Sequence, residues 1–446
     1  MKTIVKIVRT LNSQLDRYPI IAYLIFKILP SNRMLFGKMY RDYRDRINFN
    51  AKPNLKMLFD IVNFSIEKVP FYKKSYTKLS YGDLNEFENK IGFLNRDDLF
   101  SKNESLLSSD FQKDKYEIVT TGGTSGKPAK FYLKKDRYKK EYAFFHKVWA
   151  TKGYNDQIRG VIRNERLDKN INYKISPITR EIIFDAFRNT EEYCKVIYKT
   201  LVEYKVYYLQ CYPSSAFFFA TIAQKQNLDL SFLKGVFLSS ENYLYHQKVL
   251  FQKLKLPVVS VYGHSEKLAL AVDFHGDGKY KVINDYGYLE LIDKDGDVIK
   301  EVDVIGEIVT TTLDNYGQPL LRYRTGDYSS YYKYEEDKAS ILNNIEGRWE
   351  EMKIYNNDNT YVTPTALNLH NDLYIHIEGL QYYQRAKGHL EVRIIPHQSY
   401  NDIVENRLIN HYKSRLHHSS TVEIKIVNKL SRNANGKFLL LISEIK

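Results

Sequence analysis

The sequence predicts an α/β protein with a large, multi-sheet N-terminal domain over residues 1–347 and a small α+β C-terminal domain over 348–446. Three observations carry this expectation. From residue 116 onward, short β-branched or aromatic runs alternate with helical periodicity, as helices packed on a sheet require. After residue 280 the character changes to hairpin-like β. The last stretch, of about 100 residues, reads strand, helix, strand, and is long enough to close a small core.

Taken in order, residues 1 to about 50 form a basic, helical N-terminus, with ten basic and three acidic side chains. Its uncharged run YPIIAYLIF, residues 18 to 26, falls well short of the roughly 20 residues a membrane-spanning helix needs. No small-residue cleavage site follows it, so secretion is not expected. Such a helix either rests on the anionic inner face of a membrane or packs on its own domain.

YEIVTT (116 to 121) reads as a strand leading into the glycine-rich TTGGTSGKP (120 to 128). Tyr138, Tyr142, Phe145 and Trp149 then recur at helical spacing. VYYLQCYPS (206 to 214) is a strand whose Pro213 and Ser214 start the next helix. VFLSSE (236 to 241) and VVSVYGHSE (258 to 266) repeat the step from strand to polar turn. Ligands of open α/β sheets collect beyond the carboxyl ends of strands, so loops 121–128, 239–241 and 262–266 are expected to share one cleft.

Turns are expected at Asp295-Gly296 and near Gly306, in a smaller sheet or barrel that closes with LLRYRTGDYSSYYKY (320 to 334). The last domain runs through strand HLEVRIIP, helix NDIVENRLINHYKSRL, strand VEIKIV and the glycine turn NANGK. Its boundary is set near Gly347 and Arg348.

Composition is that of an ordinary folded chain, with 43% hydrophobic and 27% charged residues among 446. The 38 tyrosines are scattered through strand-like and helix-like segments and read as packing residues. Two cysteines, Cys194 and Cys211, exclude a disulfide framework and a multi-cysteine zinc site, and suit a reducing cytoplasm. The excess of 67 basic over 53 acidic side chains is compatible with a polyanionic partner, and half of the net +14 sits in the first 50 residues. No nucleic-acid partner is expected. His417 and His418 lack metal-ligand spacing.

Three glycines and four hydroxyls in TTGGTSGKP suit the wrapping of an anion such as phosphate. It is not the nucleotide-hydrolase loop, because Thr121 stands where the first glycine should be and Pro128 where the metal-binding hydroxyl should be. Four segments, TTGGTSGKP, VYGHSE, YRTGD and GRWEE, followed by NGK near the C-terminus, resemble in order and spacing the adenylate-forming superfamily of acyl- and aryl-CoA synthetases. The likeness is strongest to the phenylacetate-CoA ligase family and its relatives in capsular polysaccharide biosynthesis. LFDIVNFSIEKVPFYKKSY (58 to 76) and IGFLNRDDLFSKN (91 to 103) resemble the N-terminal helices of that family.

The resemblance implies an ATP-dependent carboxylate ligase whose C-terminal domain is a mobile lid. In the phosphate loop, Thr121, Gly123, Thr124, Ser125, Gly126 and Lys127 would hold the ATP phosphates. Tyr262, with Gly263, would flank adenine, and Glu266 would ligate Mg²⁺. Asp327 would accept hydrogen bonds from the ribose hydroxyls with Arg348 close by, and Glu350 would be the hinge. Lys437 would stabilise charge on the transferring adenylyl group, together with Glu266 the catalytic pair. Ser240, Glu241 and His264 would face the acid substrate.

Partners implied are a carboxylic acid and an acceptor amine, hydroxyl or thiol, with CoA as one candidate. The chain departs from the CoA ligases in KIYNNDNTYVTP, which has no glycine after the GR motif, and in Gly122, where relatives commonly carry serine. A competing reading is a basic protein that binds membranes or polyanions on the same fold without turnover.

Overall fold

Proline opens the helix after the strand Tyr208–Cys211, where its fixed φ suits the first turn and its missing N–H is not needed. This strand-to-helix step recurs along the parallel part of the main sheet. The structure is a computed structural model that describes residues 18–445 other than 121–129, 164, 189, 240, 337, 348–352, 363–366, 368, 370–372, 374–375 and 433–437.

Helices α1 (Pro19–Ile28), α2 (Gly37–Arg46) and α3 (Leu55–Lys68) precede an antiparallel pair, β1 (Tyr116–Thr120) and β2 (Lys130–Lys134). Next come α4 (Arg137–Ala150), β3 (Arg159–Ile162), β4 (Tyr173–Ser176), β5 (Glu181–Phe184), α5 (Glu191–Glu203) and β6 (Tyr208–Cys211). They are followed by α6 (Pro213–Lys225), β7 (Gly235–Ser239), α7 (Tyr245–Lys253) and β8 (Val258–Gly263). Strands β8, β7, β6, β3 and β5 lie side by side in parallel. Since β5 and β6 both follow β3 but flank it on opposite sides, a crevice opens beyond the carboxyl end of β3.

The antiparallel strands β9 (Leu270–Asp273), β10 (Tyr280–Val282), β11 (Gly287–Ile292), β12 (Ile305–Thr312), β13 (Tyr323–Lys333) and β14 (Ile341–Leu342) continue the same sheet. The expected smaller sheet is therefore an arm of one twelve-stranded sheet, joined through β9 to β8 and bent where the register shifts in β12 and β13. The turn at Asp295-Gly296 is present, with Asp293 Oδ1 accepting three backbone N–H groups. Gly306, however, lies inside β12. A Cβ there would come within 2.4 Å of Ile299 Cδ1 and 2.9 Å of the Ile292 carbonyl, so the glycine marks a close approach of chains. YEIVTT also differs from expectation: its strand pairs only with β2, outside the main sheet.

The C-terminal domain contains the short pair β15 (Ile354–Tyr355) and β16 (Tyr361–Val362), then β17 (Ile377–Ala386), β18 (His389–Pro396), α8 (Asp402–Lys413), β19 (Thr421–Ile426) and β20 (Leu441–Ser443). The last four strands form a sheet in the order β19-β18-β17-β20, with a core around Leu380, Tyr382, Val392, Ile394 and Leu408. Sequence patterning missed β17 because its buried positions include Gln381 and Gln384. Gln381 escapes the desolvation cost by donating to the carbonyls of Ser431 and Leu439.

Helices α5 and α6 pack on the parallel strands, and Ala22 and Phe26 of α1 join that core. The opposite side of α1 is apolar and open, with Ile20, Leu24 and Ile28 between 60% and 79% exposed. No helix among the described residues is long and apolar enough to cross a membrane. Cys194 and Cys211 are free and buried, and burial pushes both thiols up to about 12, which leaves them unreactive.

Candidate active site

A cleft of about 890 Å³ opens beyond the carboxyl ends of β3, β6, β7 and β8. Arg163, Gln210, Ser239 and Tyr262 project into it from these strands or their ends, and Phe438 to Leu441 of the C-terminal domain line its other side. The helical repeat Tyr138, Tyr142, Phe145 and Trp149 of α4 also faces this space, so the stripe read as packing is partly a cleft wall. Loops 239–241 and 262–266 meet here. Loop 121–128 lies outside the described residues.

Asp327 and Tyr262 are brought together from β13 and β8. The Tyr262 hydroxyl donates to Asp327 Oδ2 at 2.8 Å. Burial, then the Asp327 charge, hold the Tyr262 hydroxyl well above the ordinary tyrosine range, so it stays a donor. The turn carrying Asp327 is fixed from behind. Glu307 accepts from Arg324 Nε at 2.6 Å and from the Gly326 N–H at 3.0 Å, and the Thr325 hydroxyl donates to the Ile308 carbonyl at 2.7 Å. Gly326 has φ +75°, a conformation that favours glycine. Arg322, just before the YRTGD motif, points away: it is 2% exposed, forms an ion pair with Glu290 and donates to the carbonyls of Glu88 and Ile91. A Cβ at Gly347 would lie 3.3 Å from Asp327 Oδ1, so the glycine, lacking one, leaves the approach to the carboxylate open.

Glu266 is 7% exposed at the cleft wall. His264 Nδ1 sits 3.2 Å from its Oε2, and the Tyr323 hydroxyl donates to its Oε1 at 3.1 Å. Burial alone would raise this carboxyl, but the His264 and Tyr323 contacts outweigh it and hold Glu266 below the ordinary glutamate value. An ionised carboxylate results. His264 Nε2 is buried without a hydrogen-bond partner among the described residues, and the residue lines the cleft. No group of three or more His, Cys, Asp or Glu side chains among the described residues could hold a metal alone. Mg²⁺ commonly takes one or two carboxylates and completes its shell with phosphate oxygens and water, so Glu266 suits it in that form.

Glu241 lines the cleft, but its oxygens are engaged by the protein. Ser214 N and Oγ donate to it at 3.0 and 3.1 Å, and the Phe438 N–H donates at 2.6 Å. It therefore caps the start of α6 and ties the C-terminal domain to the N-terminal one. Burial raises its carboxyl against those bonds. Gly263 is exposed at the end of β8. Thr121, Gly123, Thr124, Ser125, Gly126, Lys127, Ser240, Arg348, Glu350 and Lys437 lie outside the described residues.

The structure adds charges that motif reading passed over. Asp314 accepts from Arg137 at 2.5 Å and Lys140 at 2.7 Å, while Glu141 contacts Arg137 at 3.1 Å and Lys267 at 3.2 Å. At the start of β3, Arg159 pairs with Glu181 and donates to Gln210 at 3.0 Å. Arg163 donates to Ser239 Oγ at 3.0 Å. The segment RGVIRN obeys the same strand-to-polar-turn rule as VFLSSE, a signal that could have flagged Arg163.

Comparison with known proteins places these features in context. Residues 354–444 match the CapK C-terminal domain. No curated protein matches the sequence. Solved structures are similar in fold. A 2-hydroxyisobutyryl-CoA ligase in the postadenylation state with 2-HIB-AMP superposes with a TM-score of 0.67 at 15% identity, covering 89% of this chain and 91% of that one. The same enzyme in an open conformation with 2-HIB-AMP and CoA gives 0.55 at 15% identity, over 88% and 93%. AtGH3.15 acyl acid amido synthetase in complex with 2,4-DB gives 0.59 at 14% identity, over 90% of each chain.

Proposed function

We propose that this chain, which has the fold of adenylate-forming ligases and a CapK-type C-terminal segment, is an ATP-dependent, AMP-forming carboxylate ligase. It would convert an acid to its acyl-adenylate with release of pyrophosphate, and pass the acyl group to an acceptor in cell-surface polysaccharide biosynthesis. One observation carries this: the Tyr262–Asp327 and His264–Glu266 pairs face the same cleft at the strand switch, closed over by the C-terminal domain.

In this reading the acid's carboxylate attacks the α-phosphorus of ATP and pyrophosphate leaves. Asp327 binds the ribose hydroxyls, Tyr262 orients Asp327 and flanks the base, and His264 Nε2 reaches the reacting groups. Glu266 would hold the Mg²⁺ that screens the phosphates. Phosphate-loop residues 121–127, Arg348 and Lys437 complete the nucleotide site, Ser240 lies near the acid, and the lid turns about Glu350. ATP as co-substrate and the two free thiols support a cytoplasmic location.

The missing glycines in KIYNNDNTYVTP and the CapK-type segment favour an amine or hydroxyl acceptor. The alternative is an acyl-CoA ligase, since the fold is shared by a CoA ligase and an amido synthetase. Carboxylate-dependent exchange of labelled pyrophosphate into ATP, over a panel of aliphatic, aromatic and amino acids, tests the reaction. Exchange is expected, and Lys437→Ala should slow it by ~10²–10³-fold while ATP still binds. Folded protein that exchanges with no acid refutes the ligase. Mass spectrometry with CoA present separates the acceptors.

A further inference from the structure

One cation at the cleft has no ion-pair partner among the described residues. Four arginine and lysine side chains line the cleft among the described residues: Arg137, Arg159, Arg163 and Lys267. Three have carboxylate partners: Asp314 and Glu141 for Arg137, Glu181 for Arg159, and Glu141 for Lys267. Arg163 has none within ion-pair distance among the described residues. Its one hydrogen bond among the described residues goes to the neutral hydroxyl of Ser239, at 3.0 Å. Glu165, two residues on, is engaged by Lys174 at 2.6 Å.

The surroundings of Arg163 sharpen the imbalance. Burial is the largest influence on it and lowers its pKa; next in strength come the electrostatic effects of Tyr212, Glu181, Arg159 and Tyr142. Of these only Glu181 is a carboxylate, and it is already paired with Arg159. A guanidinium does not give up its proton at physiological pH, so it cannot relieve the cost of burial by becoming neutral. Such a position calls for an anion.

We infer that Arg163 is a specificity residue, and that the acid activated here carries a second anionic group, such as a carboxylate, phosphate or sulfate, besides the carboxylate that reacts. This rests on the adenylate-forming reading above. The reacting carboxylate is the weaker candidate for Arg163, because it loses its own charge on becoming a mixed anhydride. A cation devoted to it would favour the ground state over the transition state. A group that keeps its charge throughout the reaction meets no such objection. The neutral walls, Tyr142, Phe145 and Trp149 of α4, suit the carbon skeleton between the two charged ends.

The test uses acid pairs differing only in the second group: pentanoate and glutarate, benzoate and isophthalate, propanoate and 3-phosphopropanoate. Binding to the full-length protein is measured by calorimetry without ATP, and pyrophosphate exchange is measured in parallel. The wild type should favour at least one dianion over its partner by about 10–100-fold, the range of a charge-assisted pair. Arg163→Met should erase that preference, and Arg163→Lys should restore part of it; thermal melting checks that both fold. The loss should fall on kcat/KM for the dianion, with the KM for ATP held.

Equal or better binding of the monoanions, no selective binding at all, or a loss in Arg163→Met shared by both acids and by ATP, overturns the inference. Arg163-dependent dianion binding without exchange would refute the ligase reading and leave this one standing. Exchange with monoanions alone would do the opposite.

Discussion

The Tyr262 hydroxyl and the Asp327 carboxylate are 65 positions apart in sequence and 2.8 Å apart in the fold. Removing the hydroxyl leaves a carboxylate oxygen short of one donor, at a cost of about 1–3 kcal/mol. Tyr262→Phe should therefore weaken ATP binding by about tenfold or more with little change in fold, as read by nucleotide titration. An unchanged affinity would remove Tyr262 from the orientation of Asp327. At this scale the sequence was a good guide to residue types in turns, and a poor one to direction. Arg322 and Asp327 share one short segment, yet the arginine serves the scaffold and the aspartate the cleft, because the positive φ of +44° at Arg322 and the alternation of the strand send them to different sides.

Helix α4 shows what an element contributes beyond its pattern. Its aromatic repeat was legible from periodicity, but the same helix carries Arg137 and Lys140, which meet Asp314 some 170 residues later. Burial by itself would raise the Asp314 carboxyl, but Arg137 and Lys140 hold it well below the ordinary range. The unfolded chain thus takes up a proton first as pH falls. The stability this group supplies is complete above about pH 4, the ordinary aspartate value, and is lost as pH drops toward the folded one. Asp314→Asn should cost about 3–5 kcal/mol at neutral pH, because it strips the countercharge from two buried cations. Urea unfolding should also show a flatter acid limb in the variant. Matching acid limbs in the two proteins would contradict this account. Elsewhere, β17 escaped notice because buried glutamines break the apolar pattern, and only the carbonyls they reach in the fold explain them.

Over the whole molecule, the contact between domains depends on Glu241, which takes the N–H of Phe438 across 197 positions. Any rotation of the C-terminal domain away from the cleft must break that bond. Glu241→Ala is expected to raise hydrogen exchange at the Phe438 amide by about tenfold, and to leave exchange in β7 and β8 as it was. Full protection of that amide in the variant would show that other contacts hold the domain.

By itself the sequence determined the alternation of strands and helices along the parallel part of the main sheet, and with it the type of fold, since periodicity, capping and turn chemistry act over a few neighbouring residues. The tertiary structure alone decided that the β arm joins the main sheet, that Glu241 bridges the domains and that Arg163 faces the cleft with no ion-pair partner among the described residues. Each of those depends on groups tens to hundreds of residues apart, whose meeting is set by packing and by the matching of buried charge, and no local pattern encodes either.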